Sequence, residues 1–346
     1  MPISSDVPWK DLDTKGFVHV RGFLTPAQLE ACRADYASLP AGGSSTIADV
    51  PTAGPGVLGL KDPILDAATA VRMNTNIRVD CPAGANYFAT KRGVTFKWHQ
   101  DHESYFMLQS HANYLNFYIP VVKPRADKSN LSVVPFDALE RKSPETYRWA
   151  VFSGATSVYP TPSGQLLVHD DSGDAHATQL KFDDIAATPE LSAGDLLLLR
   201  GDLFHKTQDS DTDRVSLSIR MAHTATVVRR SKMADGGLLK AQTMVRNMRA
   251  FELAFRAFDL AGKDELPWGE MQSLMDEARK RFSPVDSPKR YLLGQKFRSR
   301  VVFSSARRAV NEVVVNRLKY HYHSRQSKRG VGDVAVEENR KPVPGQ

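Results

Sequence analysis

Cysteine is scarce in this chain: Cys32 and Cys81 are the only two in 346 residues. Two isolated thiols exclude a disulfide-built scaffold and a cysteine-rich zinc module, and without a visible export signal they are expected to be reduced. Long apolar runs are missing too, since no stretch approaches the roughly 18 residues that a membrane span requires. The opening Met1-Pro2-Ile3-Ser4-Ser5-Asp6 has neither a basic n-region nor an apolar h-region, so a cytoplasmic location is the default expectation. Internal repeats are absent. No motif of stacking aromatics accompanies the basic residues, so nucleic acid is not an expected partner.

The composition that remains, 41% hydrophobic and 25% charged, is that of a globular chain with a core of its own. The net charge of +7 is uneven. Between Lys289 and Arg329 twelve Lys and Arg stand against one acid, Glu312, which leaves 34 of the 46 basic and 38 of the 39 acidic residues elsewhere. That segment reads first as a solvated helix face or a polar end, and second as a surface for phosphate groups.

Residues 16–24 alternate apolar and polar as a strand does, and Thr25-Pro26 then supplies an N-cap and a first-turn proline for a helix over 27–39. Residues 40–62, rich in Gly, Pro and Ser, read as a loop, and a short helix follows over 64–73. Strands are expected at 86–90, 94–106, 114–119, 131–134, 165–168 and 214–222, and residues 191–199 read as a turn feeding a buried strand; residues 144–154 fit no pattern well. Many short strands with Gly and Pro turns argue for an antiparallel barrel or sandwich, and the cupin-like jelly roll is the version that holds metals in its mouth. From 232 to 322 the apolar spacing turns helical, which predicts an extension packed on a first unit of residues 1–231. Residues 323–346 are polar and expected to be disordered.

The chemistry is concentrated in Phe96-Lys97-Trp98-His99-Gln100-Asp101 and, about a hundred residues on, Gly201-Asp202-Leu203-Phe204-His205-Lys206-Thr207. In a strand, His99 and Asp101 lie on one face. With a distant second histidine, His205, they make a 2-His-1-carboxylate set of the kind that binds non-heme Fe(II) and leaves positions for a cosubstrate and dioxygen. A competing His-Asp pair, His169-Asp170-Asp171 with His176 behind it, sits among Asp, Ser and Gly as in a turn. The aromatic surroundings of His99 suit a half-buried strand better. Arg214, nine residues after His205, can return beside it on a hairpin and offer a carboxylate the planar fork that lysine lacks. Its alternative is a surface ion pair with Asp211 or Asp213.

Taken together, these stretches resemble the phytanoyl-CoA dioxygenase family of Fe(II)/2-oxoglutarate-dependent oxygenases. The likeness runs through residues 16–24, Trp98-His99-Gln100-Asp101, and Ala193-Gly194-Asp195 through His205 to Arg214-Val215-Ser216, spanning about residues 12–225. It implies a double-stranded β-helix with flanking N-terminal helices, iron on His99, Asp101 and His205, and the distal carboxylate of 2-oxoglutarate on Arg214 with Thr207. Gln100, Tyr87, Ser216 and Asn116 are further expected cosubstrate contacts, with Asn116 and Phe117 on the next strand lining the pocket. The carboxylate ligand that related halogenases lack is kept, which predicts oxygenation. The family's Glu-Asn-Gly and Pro-Gly-Ser-His stretches are replaced by 127–131 and 134–138, so the founding enzyme's substrate does not carry over.

The expected activity is oxidation of an unactivated C–H bond of a small-molecule metabolite, with 2-oxoglutarate and O2 consumed and succinate and CO2 released. Trp98, Tyr105, Phe106, Phe117 and Tyr118 are expected pocket walls, with His102, Glu103 and His111 as polar candidates. The alternatives are a CoA- or carrier-linked acyl substrate met by the basic segment, and a non-catalytic cupin-like binding protein. Oligomeric state is not readable from the chain.

Overall fold

The computed structural model describes residues 6–39, 48–49, 54–90, 95–101, 109–151, 155–160, 166–170, 175–234 and 248–281. The basic segment 289–329, the tail 323–346 and the candidates His102, Glu103, Tyr105 and Phe106 lie outside the described residues. In chain order the strands are β1 Phe17–Val20, β2 Ala48–Asp49, β3 Cys81–Ala89, β4 Tyr114–Val122, β5 Leu131–Val133, β6 Ala155–Pro160 and β7 Leu166–Asp170. They continue with β8 Ala175–Thr178, β9 Leu196–Arg200, β10 His205–Thr207, β11 Val215–Ala222, β12 Val227–Arg229 and β13 Glu265–Pro267.

Six strands form one antiparallel sheet in the order β1-β9-β4-β11-β3-β2. A second, shorter sheet faces it: His99 bridges to His205, β10 pairs with β5, and Val133 bridges to Ala187. The chain alternates between the two sheets, from β3 to residues 95–101, then β4, β5, β9, β10 and β11. That winding is the double-stranded β-helix expected from the sequence, with the mouth between the sheets.

Side-chain parity decides what each sheet face does. On β11, Val215, Leu217, Ile219 and Met221 join Leu115, Phe117, Ile119 and Val121 of β4 in the main apolar cluster. Helices Pro26–Ser38 and Lys61–Asn74 cover that cluster through Cys32, Ile64, Ala67, Ala68 and Val71. Each large side chain buried there contributes roughly 1.5–3 kcal/mol. The opposite parity, Ser216, Ser218 and Arg220 with the preceding Arg214, faces the second sheet. Thr25 caps helix Pro26–Ser38 as predicted, in a capping box with Gln28.

Several expectations need correction. Residues 95–101 are not a regular strand; they run as an extended edge with a single bridge at His99. The stretch read as a loop over 40–62 contains β2, which pairs with β3, and a short helix Pro55–Leu58. Residues 144–154 begin as a helix, Pro144–Ala150, whose N-cap is Ser143. His169 and Asp170 end strand β7 and do not lie in a turn. Within the helical extension, helices Met248–Ala261 and Trp268–Arg281 flank β13, which pairs with β12, so strand structure returns where none was expected. These helices share an apolar cluster with Tyr114 and Ala222 of the large sheet. Among the described residues, no helix is long and apolar enough to cross a membrane.

Candidate metal centre

His99, Asp101 and His205 converge in the mouth. One ligand atom from each lies within 4.8 Å of the others, and among the described residues they form the only such trio. His99 is half-buried, while Asp101 and His205 are almost fully buried. The backbone brings them together: His99 N–H donates to the His205 carbonyl at 3.0 Å and His205 N–H returns the bond at 2.9 Å. The Asp101 N–H donates to the Gly201 carbonyl at 3.2 Å.

Ring orientation follows from two carbonyls. Nδ1 of His99 stands 2.7 Å from the Lys97 carbonyl, and Nδ1 of His205 stands 2.9 Å from the Leu203 carbonyl. A carbonyl can only accept, so each Nδ1 carries the proton and each Nε2 lone pair is left for a metal. Nε2 of His205 lies 3.9 Å from Oδ1 of Asp101. The other carboxylate oxygen, Oδ2, accepts from Asn116 Nδ2 at 3.2 Å, and Asn116 Oδ1 accepts from Ser218 Oγ at 2.5 Å. Two imidazole nitrogens and a carboxylate oxygen, buried and pre-aimed, suit a divalent first-row metal.

Arg214 immediately precedes β11 of the large sheet, with the parity of Ser216 and Ser218. It is 2% exposed, its Nη1 donates to the Tyr118 hydroxyl, and its buried Nε has no hydrogen-bond partner among the described residues. Ser216 Oγ donates to the same hydroxyl at 2.8 Å. With both acceptor positions used, the Tyr118 O–H is left to donate beside the guanidinium. The alternative, a surface pairing of Arg214 with Asp211, is not formed; Asp211 pairs with Lys128 instead. A buried guanidinium is costly without an anion, so its position suits an anionic group. Lys123 follows β4 on the strand opposite Arg214, because Val122 pairs with Val215. Burial and then the charge of Arg214 push its ammonium down to about 8.

Arg214 does not return beside His205 on a hairpin, because β10 and β11 belong to different sheets. Thr207 lies on the short sheet, and its Oγ1 accepts from the Phe96 N–H at 3.1 Å. Asn116 and Ser216 are on the pocket face. Three expected contacts are not. Gln100 alternates with both ligands, so its side chain turns away and donates to the carbonyls of Asp202 and Ala150. Tyr87 pairs with Leu217, faces the main core, and donates to the Cys32 carbonyl at 3.1 Å. Phe117 is buried in that same core.

Among the expected walls, Tyr118 faces the pocket, whereas Trp98 packs edge-on against Phe182 behind the short sheet. His111 is buried in the loop before β4. Phe88 and Phe96 were missed: their rings meet at 5.8 Å, and Phe96 lies 5.4 Å from the His99 ring. The Arg220 guanidinium sits 5.5 Å from the Phe88 ring. Strand parity in 214–220 could have found Ser218 and Arg220, since both alternate with the recognised apolar face.

No curated protein matches the chain. Solved structures similar to it include the non-heme alpha ketoglutarate dependent epimerase SnoN from nogalamycin biosynthesis, at 17% identity and TM-score 0.45, covering 64% of this chain and 84% of that one. EvdO2 from Micromonospora carbonacea var. aurantiaca is similar at 14% identity and TM-score 0.42, over 62% of this chain and 89% of its own. HygX from Streptomyces hygroscopicus, with nickel and 2-oxoglutarate bound, is similar at 16% identity and TM-score 0.38, over 62% and 84%. The profile of the family described as Phytanoyl-CoA dioxygenase (PhyH) matches residues 12–216, more than half of the chain and all three residues of the trio. The chain belongs to the phytanoyl-CoA dioxygenase (PhyH) family.

Proposed function

We propose that this protein is an Fe(II)- and 2-oxoglutarate-dependent oxygenase that oxidises a C–H bond of a small molecule. The observation that carries the proposal is the convergence of the half-buried His99 with buried Asp101 and His205, and a buried Arg214 on the sheet opposite. Those three residues would hold the iron, and Arg214 with the Tyr118 hydroxyl would hold the distal carboxylate of 2-oxoglutarate. Iron, 2-oxoglutarate and O2 together supply the oxidising power, with succinate and CO2 released.

The chain's own part is placement. Asn116 fixes one oxygen of Asp101, so the other faces His205. The backbone carbonyls of Lys97 and Leu203 hold both imidazoles in one tautomer. Phe88, Phe96 and Arg220 supply an aromatic and cationic wall beside His99. Such a wall fits a substrate with a flat apolar portion and an anionic or acceptor group.

Anaerobic titration of the apo-protein with Fe(II) and then 2-oxoglutarate tests the reading through the visible metal-to-ligand charge-transfer band. Wild type should give the band, and His99→Ala should not. Arg214→Ala should need about 30-fold or more cosubstrate, given the ~2–5 kcal/mol lost when one member of a buried charge pair is removed. A folded wild type without the band would sink the proposal and favour a non-catalytic binding protein.

A further inference from the structure

The turn between β9 and β10 touches Asp101 and His205 directly and His99 only through His205, yet the side chains that hold the turn itself, Arg200 and Asp202, are not among the ligands. Three consecutive carbonyls leave it. The Gly201 carbonyl accepts from the Asp101 N–H, and the Asp202 carbonyl accepts from Gln100 Nε2 at 2.5 Å. The Leu203 carbonyl orients the His205 ring. His99 follows because it is bridged to His205 in both directions. A rotation of any one of these peptide planes would therefore move a ligand.

On the other side of the turn lies a fully desolvated ion pair. Arg200 Nε is 3.0 Å from Asp202 Oδ1 and Nη2 is 2.6 Å from Oδ2, a two-point fork. The two side chains are 2% and 0% exposed. The guanidinium lies 4.7 Å above the Phe136 ring. Phe136 presses in turn on Gly16, where a Cβ would come within 2.7 Å of the ring and where φ is +82°. Only glycine fits that approach, and the Gly16 carbonyl accepts from the Arg200 N–H at 2.9 Å.

A buried ion pair is a poor source of net stability, since desolvation offsets most of the attraction and an apolar pair of similar volume is often as stable. Its two-point geometry does restrict the backbone that carries it. We propose that the Arg200–Asp202 pair is a positioning device for the metal centre: it locks the 200–205 turn so that its carbonyls preset Asp101, His205 and, through them, His99. The inference rests on the iron site proposed above. Neither residue touches metal or cosubstrate.

The test separates metal affinity from fold stability. Anaerobic Co(II) titration of the full chain reads the metal Kd and the visible d–d band, and circular dichroism of the apo-protein reads Tm. The double variant Arg200→Met with Asp202→Leu replaces the pair by apolar groups and should keep Tm near wild type. Its Co(II) Kd should weaken by about 10- to 100-fold, with a broadened d–d band, as expected when groups supporting a ligand are lost. Arg200→Lys keeps the charge without the fork, and should fold and fall between the two in Kd; it also serves if the double variant does not fold. An unchanged Kd and band in a folded double variant, or in Arg200→Lys, would overturn the positioning role. Loss of Tm in step with Kd across both variants would overturn it too, since the pair would then be only structural. A folded wild type that binds no Co(II) would instead remove the site reading on which it rests.

Discussion

Asn116 Nδ2 donates to Oδ2 of Asp101 at 3.2 Å, and the same amide accepts from Ser218 Oγ, so a strand of the large sheet fixes a ligand carried by the short one. The carboxylate is thereby held with Oδ1 toward His205. Asn116→Ala would free the carboxylate to rotate and leave the Ser218 hydroxyl without its acceptor. Fe(II) affinity should fall by about 10- to 100-fold in anaerobic titration calorimetry. Ser218→Ala, which removes only the group behind the amide, should show a smaller loss. A wild-type Fe(II) Kd in Asn116→Ala would mean that the amide has no hold on the ligand.

Much of this centre was legible from spacing. The His99-x-Asp101 pair and the distant His205 are close in space although about a hundred residues separate them in the chain, whereas Arg214 lies on the other sheet and not beside His205. Strand alternation in 215–221 correctly set the apolar face. What spacing could not give was which face of β3 and β4 meets the pocket. Tyr87 and Phe117 were placed there, yet their pairing with Leu217 and Ile219 turns them to the core. The register shift between Val215 and Ser216 against β4 is a local irregularity that no periodicity reveals. Gln100 is a different case: it sits between two ligands, so alternation alone requires it to point away. The Arg200–Asp202 pair was invisible because adjacent charges usually mark a surface turn, and only the packing of Phe136 and Gly16 buries this one.

If Arg214 holds the distal carboxylate as proposed, the neighbouring Lys123 is expected to make cosubstrate binding sensitive to alkaline pH. Burial first, and the neighbouring Arg214 next, push its ammonium down to about 8, with Asp209 and Asp127 pulling the other way. The folded state thus binds this proton less tightly than the unfolded chain, where a lysine titrates near about 10.4. Between those values the unfolded state holds more protons, so this group's contribution to stability rises with pH across roughly 8 to 10.4. Binding of a dianion acts in the opposite direction, because it favours the charged amine. The 2-oxoglutarate Kd should be level below pH 8 and rise by up to about tenfold per unit above it. Lys123→Met should bind more weakly at pH 7 and lose the alkaline rise. Charge-transfer titrations from pH 6.5 to 9.5 decide it, and an identical rise in both proteins would assign the effect elsewhere.

Asp195 ties the first strand to the sheet that carries the site. Its Oδ1 accepts from the Gly22 N–H at 2.8 Å, and Oδ2 accepts from the Ser192 N–H at 2.9 Å and lies 3.0 Å from Nε2 of His19. Burial raises the carboxyl, but His19 and the two backbone donors outweigh it and hold the group below the ordinary carboxylate range. A depressed acid contributes its stabilisation in full above the unfolded value, near about 3.9, and loses it as pH falls through the folded value. Asp195→Ala also removes the acceptor of the part-buried Gly22 and Ser192 N–H groups, both on exposed residues that water can reach, so the loss is nearer the net worth of a hydrogen bond, about 0.5–1.5 kcal/mol each. Urea unfolding at pH 7 should show Asp195→Ala less stable by about 1–3 kcal/mol, and Asp195→Asn by less, because the amide keeps one acceptor. The gap between wild type and Asp195→Ala should narrow as pH drops from 5 toward 3, where the carboxylate takes up its proton. A gap that stays constant over that range would show that the carboxylate's charge contributes nothing, and that Asp195 acts through shape and neutral hydrogen bonds.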